Sequence, residues 1–435
     1  MAERKLFGTD GVRGPVGDLL TPDLAVRLGR AAALRAEAER PQILIVRDTR
    51  ESGPMLEEAL AAGVAAGGGD AMLGGVLPTP AASVLARRLR FDLAGVVSAS
   101  HNPYADNGIK FFDSRGIKLD DETEAAIEAA LDEPTGERVG GVRQLEGAFD
   151  DYIRELRASF QLDLSGMRIA LDCANGATHR AAPAIFGALG ADLELTGTEP
   201  DGRNINEGCG STHPEALIDL VRSSGAQIGF AYDGDGDRML AVDGAGKLHD
   251  GDDLIALIAK DLQRRGELEG GVAVTVMTNY GFLSTMEETG IEVEQTKVGD
   301  RYVIEALRER DWSLGGEQSG HIVWTDFTPT GDGIAASLLV LRALAGRPLE
   351  DTEPFKRLPQ LLENVRVADR GAIDDAAALW SAVEEENEKL AGRGRVLVRA
   401  SGTEPLLRVM VEAPDAEECE AVTRRLVDLA KRELA

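Results

Sequence analysis

The sequence predicts an α/β protein of several domains with largely parallel or mixed sheets, and three observations predict it. Its 435 residues exceed what one hydrophobic core usually holds, so roughly three domains are the starting expectation. Helix starts and apolar strand runs alternate along most of the chain, the order that builds sheets flanked by helices. That alternation restarts near residues 159 and 253, and a smaller strand-and-helix unit follows the charged, Pro-containing segment PLEDTEPFKRLPQ. The expected divisions are 1–158, 159–252, 253–356 and 357–435.

Composition narrows the function classes. The chain is 43% hydrophobic and 28% charged, as folded soluble proteins are. A net charge of −28 lacks the basic footprint of nucleic-acid binding, so no nucleic-acid partner is expected. No apolar run approaches the ~20 residues of a membrane span, and MAERKLFGTD lacks the apolar stretch of a signal peptide, so a cytoplasmic protein without a membrane partner is expected. Cys173, Cys209 and Cys419 lie far apart without CxxC spacing, which points to neither a disulfide framework nor a zinc knuckle. Only nine of the 47 basic residues are lysines, and two of these, Lys110 and Lys297, fall inside candidate loops. Lysine can exchange a proton where arginine stays charged.

The opening KLFGTDGVRGPVGD is rich in glycine and turn residues and holds Arg13 where it could meet an anion. Thr21 and Pro22 read as the start of a helix running to about Glu39. The strand PQILIV, a helix from about Pro54 and a helix opened by Thr79 and Pro80 follow. The apolar run Leu93 to Val97 then delivers Ser98 and Ser100 into the loop ASHNPYADNGIK. Ser100 is a candidate nucleophile with His101 beside it. Asn107 and Gly108 permit a tight turn that could bring Lys110 back toward the serine. A hydroxyl that carries a phosphate needs such donors and cations close by.

Beyond the acidic helix DDETEAAIEAALDE, the strand MRIALD opens the second domain, whose far end reads QIGFAYDGDGDRMLAVD. An apolar strand, Ile228 to Tyr232, runs straight into Asp233, Asp235 and Asp237, interleaved with glycines and followed by Arg238. Three carboxylates at alternate positions repel unless a cation sits among them, and hard oxygen ligands favour Mg²⁺ or Ca²⁺. An EF-hand is excluded, because Arg238 and Gly244 stand where its glycine and its closing glutamate belong. A third stretch carries the helix DLIALIAKDLQRR and the strand GVAVTVMTN. It places Lys297 and Arg301 around the Gly299 turn and offers Glu317, Ser319 and His321 in a loop suited to binding hydroxyls, before a helix opened by TPTGDG. In the tail, Arg399, Ser401, Gly402, Thr403 and Arg408 form a candidate phosphate cradle of hydroxyls, guanidiniums and exposed backbone N–H groups. The fingerprints of P-loop hydrolysis, dinucleotide redox chemistry and zinc proteolysis are absent.

FGTDGVRG, SASHNP with NGIK, DGDGDR, KVGDRYV, GGEQSGH and RASGTEP, in that order and across essentially the whole chain, resemble the α-D-phosphohexomutases, and within that family the branch acting on glucosamine phosphates. The resemblance implies a four-domain, heart-shaped α/β protein: three similar α/β domains with mixed sheets and a smaller α+β carboxy-terminal domain, each lending one loop to a cleft. It implies a phosphorylated Ser100, and one Mg²⁺ held by Asp233, Asp235 and Asp237 with Ser100. Arg238, Lys297, Glu317 and Ser319 would bind substrate, and Arg399, Ser401, Gly402, Thr403 and Arg408 would hold the phosphate that is not transferred. Arg13, His101, Lys110 and His321 would surround the reacting groups, with Lys110 the first choice for proton transfer and His321 the second. The implied reaction interconverts glucosamine 6-phosphate and glucosamine 1-phosphate through a 1,6-bisphosphate, which also serves as activator. It supplies amino-sugar nucleotide and cell-wall precursor synthesis. A homodimer is an expectation from the family alone. Three rivals stand beside this reading: a phosphomannomutase or phosphoglucomutase, a Mg²⁺ phosphatase with Asp233 as nucleophile, and a sugar-phosphate sensor.

Overall fold

The computed structural model describes residues 6–8, 10–135, 138–368, 370–400 and 405–434. Four sheets follow one another along the chain. The first contains β1 (Val12–Pro15), β2 (Gln42–Arg47), β3 (Asp70–Val76), β4 (Leu93–Val97), β5 (Asp106–Asp113) and β6 (Val142–Gln144), in the order β1-β5-β4-β2-β3-β6. Parallel pairing joins β4, β2, β3 and β6, while β5 is antiparallel to both β4 and β1, so the sheet is mixed. The second contains β7 (Arg168–Asp172), β8 (Asp192–Thr196), β9 (Ile228–Tyr232), β10 (Met239–Asp243) and β11 (Leu248–His249), ordered β11-β10-β9-β7-β8. The third orders β12 (Val272–Thr275), β13 (Val293–Thr296), β14 (Leu314–Gly316) and β15 (Ile322–Trp324) as β13-β12-β14-β15. The fourth is antiparallel throughout: β16 (Gln360–Arg366), β17 (Arg395–Ala400) and β18 (Leu406–Glu412), with β18 central.

The chain forms two compact units, Met1–Val276 with Glu294–Thr352, and Met277–Val293 with Glu353–Ala435. The first two sheets lie wholly in the larger unit. The smaller unit covers its sheet with the helices Ala377–Leu390 and Ala416–Leu434, which bury Leu379, Val383, Val422 and Leu426 against Val365, Leu407, Val409 and Val411. No helix among the described residues is long and apolar enough to cross a membrane.

Local physics explains where the sequence reading holds and where it shifts. The Thr21 hydroxyl accepts the Leu24 N–H at 3.2 Å and Pro22 opens the helix, as expected, but the helix ends at Arg35 instead of Glu39. Beyond Arg35 the segment AEAER has no buried face to hold a further turn. The helix Thr79–Leu89 forms, with Pro78 in the cap position, so Thr79 does not cap it. Its hydroxyl donates instead to Asp235 Oδ2 at 2.7 Å. Asn107 and Gly108 do not make a turn: both lie inside β5, and Lys110 is a strand residue opposite Val96. Arg13 also sits on a strand, β1, where a loop was expected.

Candidate active site

The fully buried strand β4 ends where Ser98 begins, and the chain reverses through residues 98–105 before re-entering the sheet as β5. Ser100 takes a φ of +50°, a left-handed conformation that costs a residue with a side chain and is held only where neighbours impose it. Its Oγ donates to Asp233 Oδ2 at 2.6 Å, across 133 residues of sequence, and lies 3.3 Å from His101 Nδ1.

Asp233 is the first residue of the turn between the antiparallel strands β9 and β10, and Gly236 at φ +75° lets that turn close. Carboxylate oxygens of Asp233, Asp235 and Asp237, all three residues buried, lie within 4.8 Å of one another. Burial pushes the Asp233 carboxyl well above the ordinary carboxylate range, and the charges of Asp237 and Asp235 add to it. Burial pushes Asp235 the same way but is outweighed by Lys110, whose ammonium is 2.8 Å from Asp235 Oδ2, with Thr79 and Arg13 helping, so Asp235 is held well below that range. The same ammonium is 3.8 Å from Asp237 and from Asp10. Asp235 Oδ1 and Asp237 Oδ1 are buried with no hydrogen-bond partner among the described residues. Buried carboxylate oxygens without donors are costly, and a hard divalent cation satisfies them. The donor set therefore fits Mg²⁺.

A cavity of about 580 Å³ opens in front of the serine, lined by Asp10, Arg13, Ser100, His101, Asp237 and Arg238 on one side and by Val298–Tyr302, Glu317 and His321 on the other. The aspartate turn and the Glu317–His321 turn are locked together: Arg238 and His321 form an isolated backbone bridge, and Met239 N–H donates to Gly320 O at 3.0 Å. Glu317 Oε1 accepts the Gly299 N–H at 3.1 Å, which ties the KVGD loop to the same turn. His321 Nε2 accepts the Gly331 N–H at 3.2 Å, which places its proton on Nδ1, a buried donor without a described partner. Burial, then Arg238 and Arg13, pushes the His101 imidazole down, so it is neutral at neutral pH.

Ser100, His101, Arg13, Asp237, Arg238, Glu317 and His321 thus share one cavity, with Asp233, Asp235 and Lys110 buried beside it. Lys297 and Ser319 are exposed and are not among the lining residues. The Lys297 ammonium lies 5.8 Å from the centre of the Tyr302 ring. In the smaller unit, Arg399 and Arg408 face each other across β17 and β18, and burial followed by the charge of Arg408 pushes the Arg399 guanidinium down. Ser401, Gly402 and Thr403 fall outside the described residues.

Sequence reasoning named Arg13 and Arg301 but missed the second ring of charge they join, made by Lys118, Asp10 and Asp300. Lys118 places its ammonium against both Asp10 and Asp300, and Arg13 pairs with Asp10. Burial works against the Asp300 charge, but the Lys118 ammonium outweighs it and holds its carboxyl low. Arg301 pairs with Asp121 and donates to Leu119 O at 3.1 Å. The scarcity of lysine was the available signal for Lys118, since any lysine in this chain competes with many arginines.

Family models match in succession along the chain: the phosphoglucomutase/phosphomannomutase alpha/beta/alpha domains I, II and III over residues 4–137, 150–246 and 250–365, and the C-terminal domain over 362–429. A protein of Pelotomaculum thermopropionicum named phosphoglucosamine mutase is 49% identical over 439 aligned positions, covering 98% of this chain and 99% of its own. A phosphoglucosamine mutase of Bacillus cereus is 45% identical, with 99% of each chain covered. Among solved structures, a phosphoglucomutase/phosphomannomutase family protein of Burkholderia thailandensis superposes with a TM-score of 0.82 at 27% identity, over 100% of this chain and 99% of that one. The Aspergillus fumigatus N-acetylphosphoglucosamine mutase, solved with GlcNAc-6P and magnesium, shares the fold at a TM-score of 0.71 and 20% identity, over 100% and 96% of the two chains.

Proposed function

The chain belongs to the phosphoglucomutase/phosphomannomutase family, and we propose that it interconverts glucosamine 6-phosphate and glucosamine 1-phosphate by shuttling a phosphoryl group through Ser100. The observation that carries the mechanism is the serine hydroxyl 2.6 Å from Asp233, at the mouth of a cavity that also presents guanidiniums and a sugar-sized volume. The amino sugar rests on relatives at 45–49% identity that bear that name.

Phosphorylated Ser100 donates its phosphoryl group to the free hydroxyl of the bound monophosphate. The P–Oγ bond breaks, the new P–O bond forms, and the proton of the sugar hydroxyl ends on Ser100 Oγ. The 1,6-bisphosphate then turns around and returns its other phosphoryl group to Ser100. Such transfer depends on positioning and charge stabilisation more than on a strong covalent partner. Arg13 and Arg238 face the transferring group as fixed cations, and Glu317 reads sugar hydroxyls. Lys110 relays the hydroxyl proton, its ammonium giving one proton to the departing Ser100 Oγ and taking up the one that the sugar hydroxyl loses, while His321, with its proton on Nδ1, donates to a substrate oxygen. Asp233, Asp235 and Asp237, with a phosphoryl oxygen on Ser100, would hold Mg²⁺, which when bound polarises the phosphoryl group and offsets its charge. Arg399 and Arg408 hold the phosphate that stays behind, and Lys297 and Ser319 are reserved for substrate contacts.

A phosphatase with Asp233 as nucleophile is disfavoured, because both Asp233 oxygens already accept, one from Ser100 Oγ and one from Arg238 N–H at 3.1 Å. Peptide mass spectrometry after incubation with Mg²⁺ and glucosamine 1,6-bisphosphate is the test. Phosphate on Ser100, stable to acid and hydroxylamine and rising together with activity, is expected; phosphate on Asp233 would overturn the mechanism. Equal or faster turnover of glucose 1-phosphate or mannose 1-phosphate would overturn the amino-sugar assignment.

A further inference from the structure

Arg50 has a fully buried side chain, 0% exposed, and a buried cation must be accounted for donor by donor. A guanidinium has five N–H donors, and here all five are spent. Nε donates to Asp48 Oδ2 at 2.8 Å. Nη2 donates to the carbonyls of Ser100 and Asn102, each at 2.9 Å, and Nη1 to the carbonyl of Asp106 at 2.9 Å and to that of Pro103. Every acceptor other than Asp48 is therefore a main-chain oxygen of the loop 100–106, beginning with that of the serine itself. Asn206, from the second domain, donates its Nδ2 to two of the same carbonyls, Ser100 at 2.9 Å and Asn102 at 3.2 Å.

The other side of Ser100 is tied to the same residue pair. Ser98 Oγ accepts the Ser100 N–H at 3.0 Å and donates its own proton to Asp48 Oδ2 at 2.6 Å, the oxygen that also takes Arg50 Nε. Both peptide groups flanking Ser100 are thus fixed from one buried centre. With its N–H held by Ser98 and its carbonyl by Arg50, Ser100 keeps the φ of +50° at which its Oγ meets Asp233.

We propose that Arg50 is a positioning residue for phosphoryl transfer: with Asp48 and Ser98 it locks the left-handed conformation of Ser100 and keeps Oγ aimed at Asp233 through every charge state of the serine. The inference rests on Ser100 as the phosphoryl carrier. Arg50 touches neither the sugar nor the metal-binding oxygens; its contact with Ser100 is to the main-chain carbonyl, and it acts through the loop. Lysine keeps the charge but has three donors at one point and cannot span four carbonyls of one loop.

The test compares the full-length parent with Arg50→Lys, Arg50→Met, Ser98→Ala and Ser100→Ala, reading kcat and KM for glucosamine 6-phosphate, phosphate on Ser100 after bisphosphate treatment, and thermal unfolding. A misaimed nucleophile costs on the order of 100-fold in kcat. That loss is expected in Arg50→Lys, with KM for the sugar changed less than about threefold, because the sugar contacts lie on other loops. Ser98→Ala removes two hydrogen bonds, the one accepted from Ser100 N–H and the one donated to Asp48, and should cost about tenfold in kcat at unchanged KM. It decides the matter should the Arg50 variants fail to fold. Folded Arg50→Lys with kcat within about threefold of the parent, or Ser98→Ala with parental kcat, would overturn the proposal. So would kcat and KM failing together in step with unfolding, the mark of a merely structural residue. Turnover in Ser100→Ala would instead overturn the serine mechanism itself.

Discussion

Asp332 caps the helix Gly333–Leu344 by accepting the Ala335 N–H at 2.9 Å, and its other oxygen accepts the Tyr152 hydroxyl at 2.9 Å. The side chain is buried, and burial raises its carboxyl from 3.8 to about 6 in spite of the hydrogen bonds of Ala335, Tyr152 and Ile334. Between those values the folded protein holds the proton and the unfolded chain has lost it. Stability contributed by this group is therefore fully present below about pH 4 and is lost as pH rises through about 6. At ~1.4 kcal/mol per pH unit the full loss is about 3 kcal/mol, of which about half falls between pH 5 and pH 8. Asn is an equally good cap and carries no charge. Asp332→Asn should therefore gain about 1.5 kcal/mol on the parent between pH 5 and pH 8. Urea unfolding at the two pH values, followed by the fluorescence of Trp312 and Trp324 in the larger unit, measures the difference. A gap between variant and parent that stays constant within about 0.5 kcal/mol would refute the reasoning, for then Asp332 ionises equally easily in both states.

Three further outcomes follow from the site. Lys110→Arg keeps a cation beside Asp235 but cannot give up a proton, so both it and Lys110→Met should lose about 100-fold or more in kcat; an arginine variant within about tenfold of the parent would reduce Lys110 to a fixed charge. A Cβ on Gly234 would stand 2.5 Å from Ser100 O and 2.7 Å from Asn206 Nδ2, so Gly234→Ala should displace the serine loop, cost about 1–3 kcal/mol of stability and abolish turnover, as coupled assays and urea unfolding will show. Chelation should stop turnover reversibly, with Mg²⁺ restoring it, and Asp235→Asn should weaken Mg²⁺ binding measured by calorimetry; full turnover in excess chelator would remove the metal from the mechanism.

What was legible beforehand is what local pattern encodes. The strand running into alternating aspartates and glycines could be read because the cause, mutual repulsion relieved by a cation, lies within a few residues. Ser100 was legible as a polar stop after an apolar run. Asn107 and Gly108 were misread because asparagine followed by glycine has two uses. Here a Cβ on Gly108 would meet Ser98 O at 2.4 Å, so this glycine serves close packing between strands and not a turn. Thr79 and Pro80 do open their helix, but the threonine is its first residue and not its cap, because the hydroxyl is committed to Asp235, 156 residues away.

The residues that escaped detection are the counter-ions, and the reason is physical. An anion loop can be recognised from its own composition, but the cation that balances it is chosen by the fold. Lys118 meets Asp10 and Asp300 across 108 and 182 residues, and Arg50 reaches the serine loop across some 50. Short-range spacing carries no trace of such pairs. The constraint that does is electrostatic. In a chain with 75 acidic against 47 basic residues, a buried cation is retained only where several acceptors converge on it, because an unpaired one is too costly to keep inside. Arg50 with its five acceptors and Lys110 among three carboxylates are therefore the points from which the two faces of Ser100 are organised: one cation fixes the main chain behind the hydroxyl, and the other governs the charge in front of it.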